Sequence, residues 1–266
     1  MSWGHPVTTG IPNIDYYLSS SLLEPDSPEG HYTETLVQLK LLPTYFYPPP
    51  YISRPFNRET LGLPDDATLY VCPQSLFKLH PDFDIVFEKI LTRDEKGVLV
   101  LINYKDNLDM EIVKNRIQEK FPAIIEKIIF LPKMTRVIYL NLLKASDALL
   151  DPPYFGGGNT TYEAFSQDIP IVTMPGEFMR GRVTLGCYKM MGIYDLIAED
   201  IDSYVSLAYR LANDKEWNSQ LKFKIKEKKT VLFENPEVVH EMERFFISAR
   251  KSVLSGEKIK NWNYLR

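Results

Sequence analysis

An α/β domain built on a doubly wound parallel sheet is the fold this sequence predicts, and three observations carry that expectation. Short all-apolar segments recur from about residue 61 onward, without the polar alternation of a half-solvated strand. Between them lie stretches whose apolar residues repeat at helical spacing, and this alternation implies helices covering both faces of one sheet. Finally, the apolar segment Ala148-Leu149-Leu150 runs into Asp151-Pro-Pro-Tyr-Phe-Gly-Gly-Gly-Asn-Thr-Thr161 and then into a helical pattern. The doubly wound, Rossmann-like domain is expected over residues 56–235, with a C-terminal helix packed outside it.

The first 55 residues differ from the rest. They hold Pro6, Pro12, Pro25, Pro28, Pro43, the run Pro48-Pro49-Pro50 and Pro55, with aromatic residues between. Ile14–Leu18 reads as a strand and His31–Leu39 as a short helix. Too few apolar residues are present for a separate core, so this segment must lean on the following domain or on residues outside the sequence. Tyr16, Tyr17, Tyr45 and Phe46 are expected to stay exposed and to make the isolated chain prone to self-association. Tyr45–Pro55 reads as an extended connector, because consecutive prolines favour polyproline geometry. The chain thus divides into residues 1–55 and residues 56–266.

Within the second part, Thr68–Cys72 is the first expected strand. A helix over Asp82–Leu91 follows, with Phe83, Phe87, Ile90 and Leu91 on one face. Gly97–Ile102, Lys127–Leu131, Ala148–Leu150 and Ile171–Thr173 supply four further strands. Helices are expected over Met110–Lys120 and Thr135–Ala145 between them. Arg182–Met191, Tyr204–Ala212, Lys215–Lys228 and Val238–Ser252 complete the helical set. The expected strand order is 3-2-1-4-5.

Composition narrows the function classes. The 266 residues are 44% hydrophobic and 25% charged, with a net charge of -4. That balance suits an ordinary core and gives no general attraction to nucleic acid or to an anionic membrane. Cys72 and Cys187 sit in apolar settings and read as reduced thiols of a cytoplasmic protein. No stretch approaches eighteen consecutive apolar residues, and the N-terminus has no signal-peptide pattern.

The glycine run is the strongest chemical signal. Three glycines let the backbone approach a ligand closely, and Asn159, Thr160 and Thr161 are good helix N-cap types. A strand, a glycine-rich turn and a helix start together aim free N–H groups and a positive dipole end at one point, which suits an anion such as phosphate. The run matches neither the P-loop nor the dinucleotide fingerprint, and a flexible turn is the plain alternative. In a sheet of order 3-2-1-4-5, ligands bind where the order reverses, beyond the ends of strands one and four. The loop after strand one carries a single cation, Lys78, which reads as a diphosphate clamp facing the helix start or as a solvated surface lysine.

Several further motifs occur in a fixed order. They are Trp3-Gly-His-Pro-Val-Thr-Thr-Gly10, Asp15-Tyr-Tyr17, His31-Tyr-Thr-Glu-Thr-Leu36 and Leu61-Gly-Leu-Pro-Asp-Asp-Ala67. Leu76-Phe-Lys-Leu-His-Pro81, Leu131-Pro-Lys-Met-Thr-Arg136, Phe155-Gly-Gly-Gly-Asn-Thr-Thr161, Val172-Thr-Met-Pro-Gly-Glu177 and Arg180-Gly-Arg182 follow. On these motifs the chain resembles the catalytic region of the O-linked N-acetylglucosamine transferase and SPINDLY-type glycosyltransferases. The resemblance spans essentially the whole chain.

It implies a GT-B enzyme, of which this chain holds the C-terminal lobe and the end of the N-terminal lobe. The rest of that lobe and the usual tetratricopeptide helices are not in the sequence, which suggests a fragment or a split or degenerate relative. The implied chemistry is metal-independent, inverting transfer of a sugar from a nucleoside diphosphate to a protein Ser or Thr hydroxyl, with no cofactor and with UDP-N-acetylglucosamine favoured. Lys78 would neutralise the leaving diphosphate, with Gly157, Gly158, Asn159, Thr160 and Thr161 as further donors.

Gln74, Ser75 and Arg136 would contact the nucleotide. Glu163 would accept from ribose, or is ordinary first-turn helix charge. His5 would face the cleft, and Arg182, ahead of Arg180, would line it. Asn159 and Tyr139 stand where the family's animal members carry histidines, which leaves base and sugar open. The implied partners are a nucleoside-diphosphate sugar, an acceptor protein, and an N-terminal lobe or tetratricopeptide region on another chain. A non-catalytic nucleotide-sugar-binding or interaction module is the second reading.

Overall fold

The computed structural model describes residues 4–104, 107–257, 259 and 262. Trp3, the first residue of the first motif, lies outside the described residues. The N-terminal segment begins with β1 (Tyr16–Ser20) and β2 (Thr35–Leu39), which pair in parallel with Tyr16 opposite Thr35 and Ser20 opposite Leu39. The expected helix over His31–Leu39 is therefore corrected. Only a 3₁₀ turn at Glu29–His31 precedes a strand. The strand wins because the alternate residues Val37 and Leu39 find a buried surface to pack against, where a short isolated helix would find none.

That surface comes from the far end of the chain. Leu18, Val37 and Leu39 pack on Phe245 of the last helix. Glu241, one turn earlier, accepts hydrogen bonds from the Lys40 and Leu41 amides at 2.6 and 3.1 Å. The expected exposure of the N-terminal aromatics is corrected for three residues out of four. Tyr17 is fully buried, Tyr16 meets Phe245 edge-on at 5.4 Å, and Phe46 stacks on Tyr162 at 4.7 Å. Tyr45 remains 43% exposed. The connector after it has no regular structure and is pinned through its amides, Ile52 to Gln167 at 2.8 Å and Phe56 to Asn141 at 2.7 Å.

The main sheet holds β3 (Thr68–Ser75), β4 (Gly97–Asn103), β5 (Ile128–Pro132), β6 (Ala148–Asp151) and β7 (Ile171–Thr173). All are parallel, in the order β5-β4-β3-β6-β7. This is the expected arrangement, with the reversal between β3 and β6. Leu69–Cys72 and Leu99–Ile102 form its buried centre. Strand β3 runs three residues past its expected end. Its register slips between Cys72 and Ser75 where Pro73 offers no N–H, and such a bulge re-aims the residues at a strand end.

Helices α1 (Asp84–Arg93), α2 (Asn107–Lys120), α3 (Arg136–Ala145), α4 (Asn159–Ser166), α5 (Val183–Met191), α6 (Ile201–Asn213) and α7 (Lys215–Lys228) flank the sheet. Several start where the sequence supplies a cap. Thr135 caps α3, Asp214 caps α7, and Asp200 with Ser203 forms a capping box on α6. The last helix, α8 (Pro236–Leu254), carries Glu241 and Phe245 back to the N-terminal strands.

Candidate active site

The loop after β3 and the turn after β6 meet at the switch point. A 3₁₀ turn over Leu76–Lys78 points the Lys78 ammonium across the gap. It donates to Gln74 Oε1 and to the Gly156 carbonyl, each at 3.0 Å, and lies 4.3 Å over the Phe155 ring. Gln74 Nε2 in turn donates to Thr160 Oγ1 at 2.8 Å. Lys78, Gln74 and Thr160 thus form one chain of contacts from strand end to helix start.

Helix α4 begins at Asn159 with Gly158 as its cap. Asn159 and Thr160 occupy the first two helical positions, so their N–H groups have no partner within the helix and face the switch point. Two expected donors are turned elsewhere. The Gly157 N–H donates to Asp151 Oδ1 at 2.7 Å, beneath the turn, and the Thr161 hydroxyl pairs with the Thr184 hydroxyl at 2.9 Å in the interior. The reason is the tight glycine turn, which folds its middle back on the strand end. A Cβ on Gly157 would sit 2.3 Å from Thr161 Oγ1 and 2.8 Å from Thr160 Oγ1.

Two cavities flank this centre, and Lys78 and Thr160 line both. One, of about 450 Å³, is walled by Phe155, the Gly156–Asn159 turn, Arg180, Gly4 and Pro6. The other, of about 350 Å³, is walled by Gln74, Ser75, Tyr104, Arg136, Tyr139 and Glu163. Arg136 donates to Glu163 at 3.0 Å in the wall of the second cavity. Tyr139 is buried there, with no partner for its hydroxyl among the described residues.

Two expected residues lie apart from these cavities. The His5 ring bonds to the Val7 carbonyl at 2.7 Å, and neither cavity is lined by it. Arg182 donates to the carbonyls of Leu23, Glu24 and Gly176, and so fastens the turn after β1 to the loop after β7. Arg180 takes the place in the wall that was expected of Arg182. Sequence reasoning gave no role to Asp151 or Tyr104. A carboxylate directly after an all-apolar strand that ends at the switch point was the available signal for Asp151. Nothing in the sequence marked Tyr104.

Burial shapes the charges. It pushes the Lys78 ammonium below the ordinary lysine range, opposed by the nearby Asp151. It pushes Asp151 up to about 6, opposed by the Gly157 N–H, Thr184, Thr173 and Lys78. Burial also raises Glu163, against the pull of Arg136. Tyr139 is raised well above the usual phenol range by burial, so it stays a neutral hydroxyl. Among the described residues no three His, Cys, Asp or Glu side chains are placed to hold a metal ion. A cation with free amides between two cavities can hold an elongated ligand by a doubly charged middle, with a different group on either side.

A family model described as Glycosyl transferase family 41 matches residues 54–242, a span that takes in both cavities apart from Gly4 and Pro6. The chain belongs to glycosyl transferase family 41. Among its family-41 relatives, a probable UDP-N-acetylglucosamine–peptide N-acetylglucosaminyltransferase SPINDLY of Petunia hybrida is 28% identical over 238 residues, 85% of this chain and 24% of that protein. A UDP-N-acetylglucosamine–peptide N-acetylglucosaminyltransferase of Caenorhabditis elegans is 26% identical over 205 residues, 76% of this chain and 18% of that protein. The chain therefore spans about a quarter or less of the length of these two relatives.

A solved mutant O-GlcNAc transferase from Thermobaculum terrenum superposes with a TM-score of 0.77 at 23% identity, over 90% of this chain and 46% of that one. Sucrose-phosphate synthase from Thermosynechococcus elongatus gives a TM-score of 0.60 at 16% identity, over 88% of this chain and 58% of that one. These matches show the fold. The main sheet and its helices are the C-terminal lobe of a GT-B glycosyltransferase. Among the described residues no helix is long and apolar enough to cross a membrane.

Proposed function

We propose that this lobe binds the nucleoside-diphosphate donor of a metal-independent, inverting glycosyltransferase that moves a sugar to protein Ser or Thr hydroxyls. UDP-N-acetylglucosamine is the favoured donor. The observation that carries the reading is the place of Lys78, between two cavities and beside the open start of α4. In this reading the diphosphate lies across Lys78 and the Asn159 and Thr160 amides. The nucleoside fills the cavity of Tyr139, Arg136 and Glu163, and the sugar fills that of Phe155 and Arg180.

When the sugar departs, negative charge gathers on the diphosphate oxygens. Lys78 and the preset amides stabilise that charge without reorganising, which is the condition for a large rate effect. Glu163, held by Arg136, accepts from a ribose hydroxyl. No step is routed through His5. The acceptor hydroxyl approaches from the larger cavity, with an N-terminal lobe or tetratricopeptide helices of the same or another chain as partner. A cytoplasmic setting suits the two free, buried thiols Cys72 and Cys187.

Calorimetric titration with UDP and with GDP in the presence of EDTA tests the reading. Binding of UDP at micromolar concentration or tighter is the expected outcome. If neither nucleotide binds until magnesium or manganese is added, the metal-free site is wrong.

A further inference from the structure

Asp151 is the one buried carboxylate on which the glycine turn is built. Its Oδ1 accepts the Gly157 N–H at 2.7 Å and its Oδ2 accepts the Thr173 hydroxyl at 3.0 Å. Its backbone carbonyl accepts from the Tyr204 hydroxyl at 3.2 Å, so the strand end itself is fixed. A Cβ on Gly156 would lie 2.9 Å from both carboxylate oxygens, so the turn rests directly on this group. By taking the Gly157 N–H downward, Asp151 sets the direction of the chain into α4, where the Asn159 and Thr160 amides are left open.

We propose that Asp151 is a positioning residue. Its ionised carboxylate holds the glycine turn in its binding shape, carries the Gly156 carbonyl that takes the Lys78 ammonium, and favours the charged form of that lysine, although it touches no substrate. The inference rests on the donor-site reading above and adds to it a dependence on pH. The titratable groups facing Asp151 are Lys78, Cys72 of β3, Cys187 and Tyr188 of α5, and Tyr204 of α6. Burial pushes both thiols up to about 12 and both phenols above their ordinary range, so they remain neutral. Lys78 is left as the charged neighbour through which Asp151 acts.

The sign follows from the raised carboxyl. Above about pH 6 Asp151 is ionised and supports Lys78; below it the carboxyl is neutral and that support is lost. Asp151→Asn keeps the shape and an acceptor for Gly157 but never carries the charge. UDP affinity of the natural chain and of Asp151→Asn is to be measured from pH 5 to 8. Taking the ratio at each pH cancels the ionisation of UDP itself. At pH 7.5 the natural chain should bind about tenfold more tightly, the scale of losing one charge-assisted contact, and the ratio should fall toward one by pH 5.

A ratio that stays flat overturns the proposal. So does tighter binding by the Asn variant, as loss of a charge that merely repels diphosphate would give. Thr173→Val, which removes one donor to the carboxylate, should move the midpoint of the ratio upward, and an unmoved midpoint also counts against the role. A second readout needs no nucleotide. With lysines carrying ¹³C-methyl labels, the Lys78 amine should titrate lower in Asp151→Asn than in the natural chain. Equal titration overturns the proposal. Failure of the natural chain to bind UDP at any pH would sink the donor-site reading, while the lysine titration still decides the part played by Asp151.

Discussion

Lys78 concentrates the chemistry of the proposed site into one side chain. Its ammonium is held by a carbonyl and an amide oxygen, each at 3.0 Å, and is partly desolvated, so a diphosphate oxygen entering the gap meets a preset charge. A leaving diphosphate carries more negative charge in the transition state than in the bound donor, so Lys78 should matter more to turnover than to binding. In an active enzyme containing this lobe, Lys78→Ala should lower kcat by roughly a hundredfold or more, the usual loss for one preorganised donor, with a smaller change in KM. Steady-state kinetics on the variant decide it, and an unchanged kcat leaves Lys78 only the structural role of tying Gln74 to the glycine turn. Lys78 was legible in the sequence because it is the single cation in the first switch-point loop. The inward turn of Gly157 and Thr161 was not, because a run of small polar residues does not say which of them faces the ligand.

At the scale of elements, the site depends on how closely the loops after β6 and β7 pack. The Pro153 carbonyl is clamped between Gly176 and Gly181, where added Cβ atoms would lie at 2.3 and 1.9 Å. Both contacts are with backbone, which cannot swing aside as the end of a side chain can. Gly181→Ala should therefore push the 3₁₀ turn at Met179–Gly181, and with it Arg180, away from the glycine turn. A destabilisation of about 1–3 kcal/mol is expected from such overpacking, with weaker UDP binding. Gly30→Ala, where nothing lies within 4 Å, is the control. Thermal denaturation of the two variants makes the comparison, and equal midpoints would show that the clamp is soft. The glycines were visible in the sequence as turn formers, but the carbonyl they enclose belongs to a loop more than twenty residues away.

Across the whole molecule, the first and last segments depend on each other. One face of β1 and β2, with Leu18, Val37 and Leu39, is covered by Phe245 of α8, while Tyr17 and Leu36 on the other face join the main core; Glu241 of α8 fixes the chain beyond β2. Phe245→Ala should remove that cover at a cost of about 3–5 kcal/mol to the N-terminal unit. Limited proteolysis should then cut first between β1 and β2, while the five-stranded sheet stays protected. Simultaneous cleavage throughout would show that the two parts unfold as one. Arg182 bears on the same coupling, because it ties the turn after β1 to the loop after β7 rather than lining the cleft.

The five strands, their order and the switch point where two loops converge are legible in the residues alone. Those features follow from local rules: apolar runs long enough for buried strands, helical periodicity between them, and glycine where the chain must turn sharply at a helix start. The sequence also marked Lys78, Gln74, Ser75, Arg136, Thr160 and Glu163, all of which line the two cavities. That residues 35–39 form a strand is a matter of long-range packing, because the choice turned on a partner more than two hundred residues away in α8. Packing placed Arg180 rather than Arg182 in the wall, since either could face the cleft until the Leu23 carbonyl was fixed in space. Packing also put Asp151 beneath the glycine turn. Whether a carboxylate is buried, and which amide it takes, depends on how the turn folds over it, and no spacing in the chain encodes that fold locally.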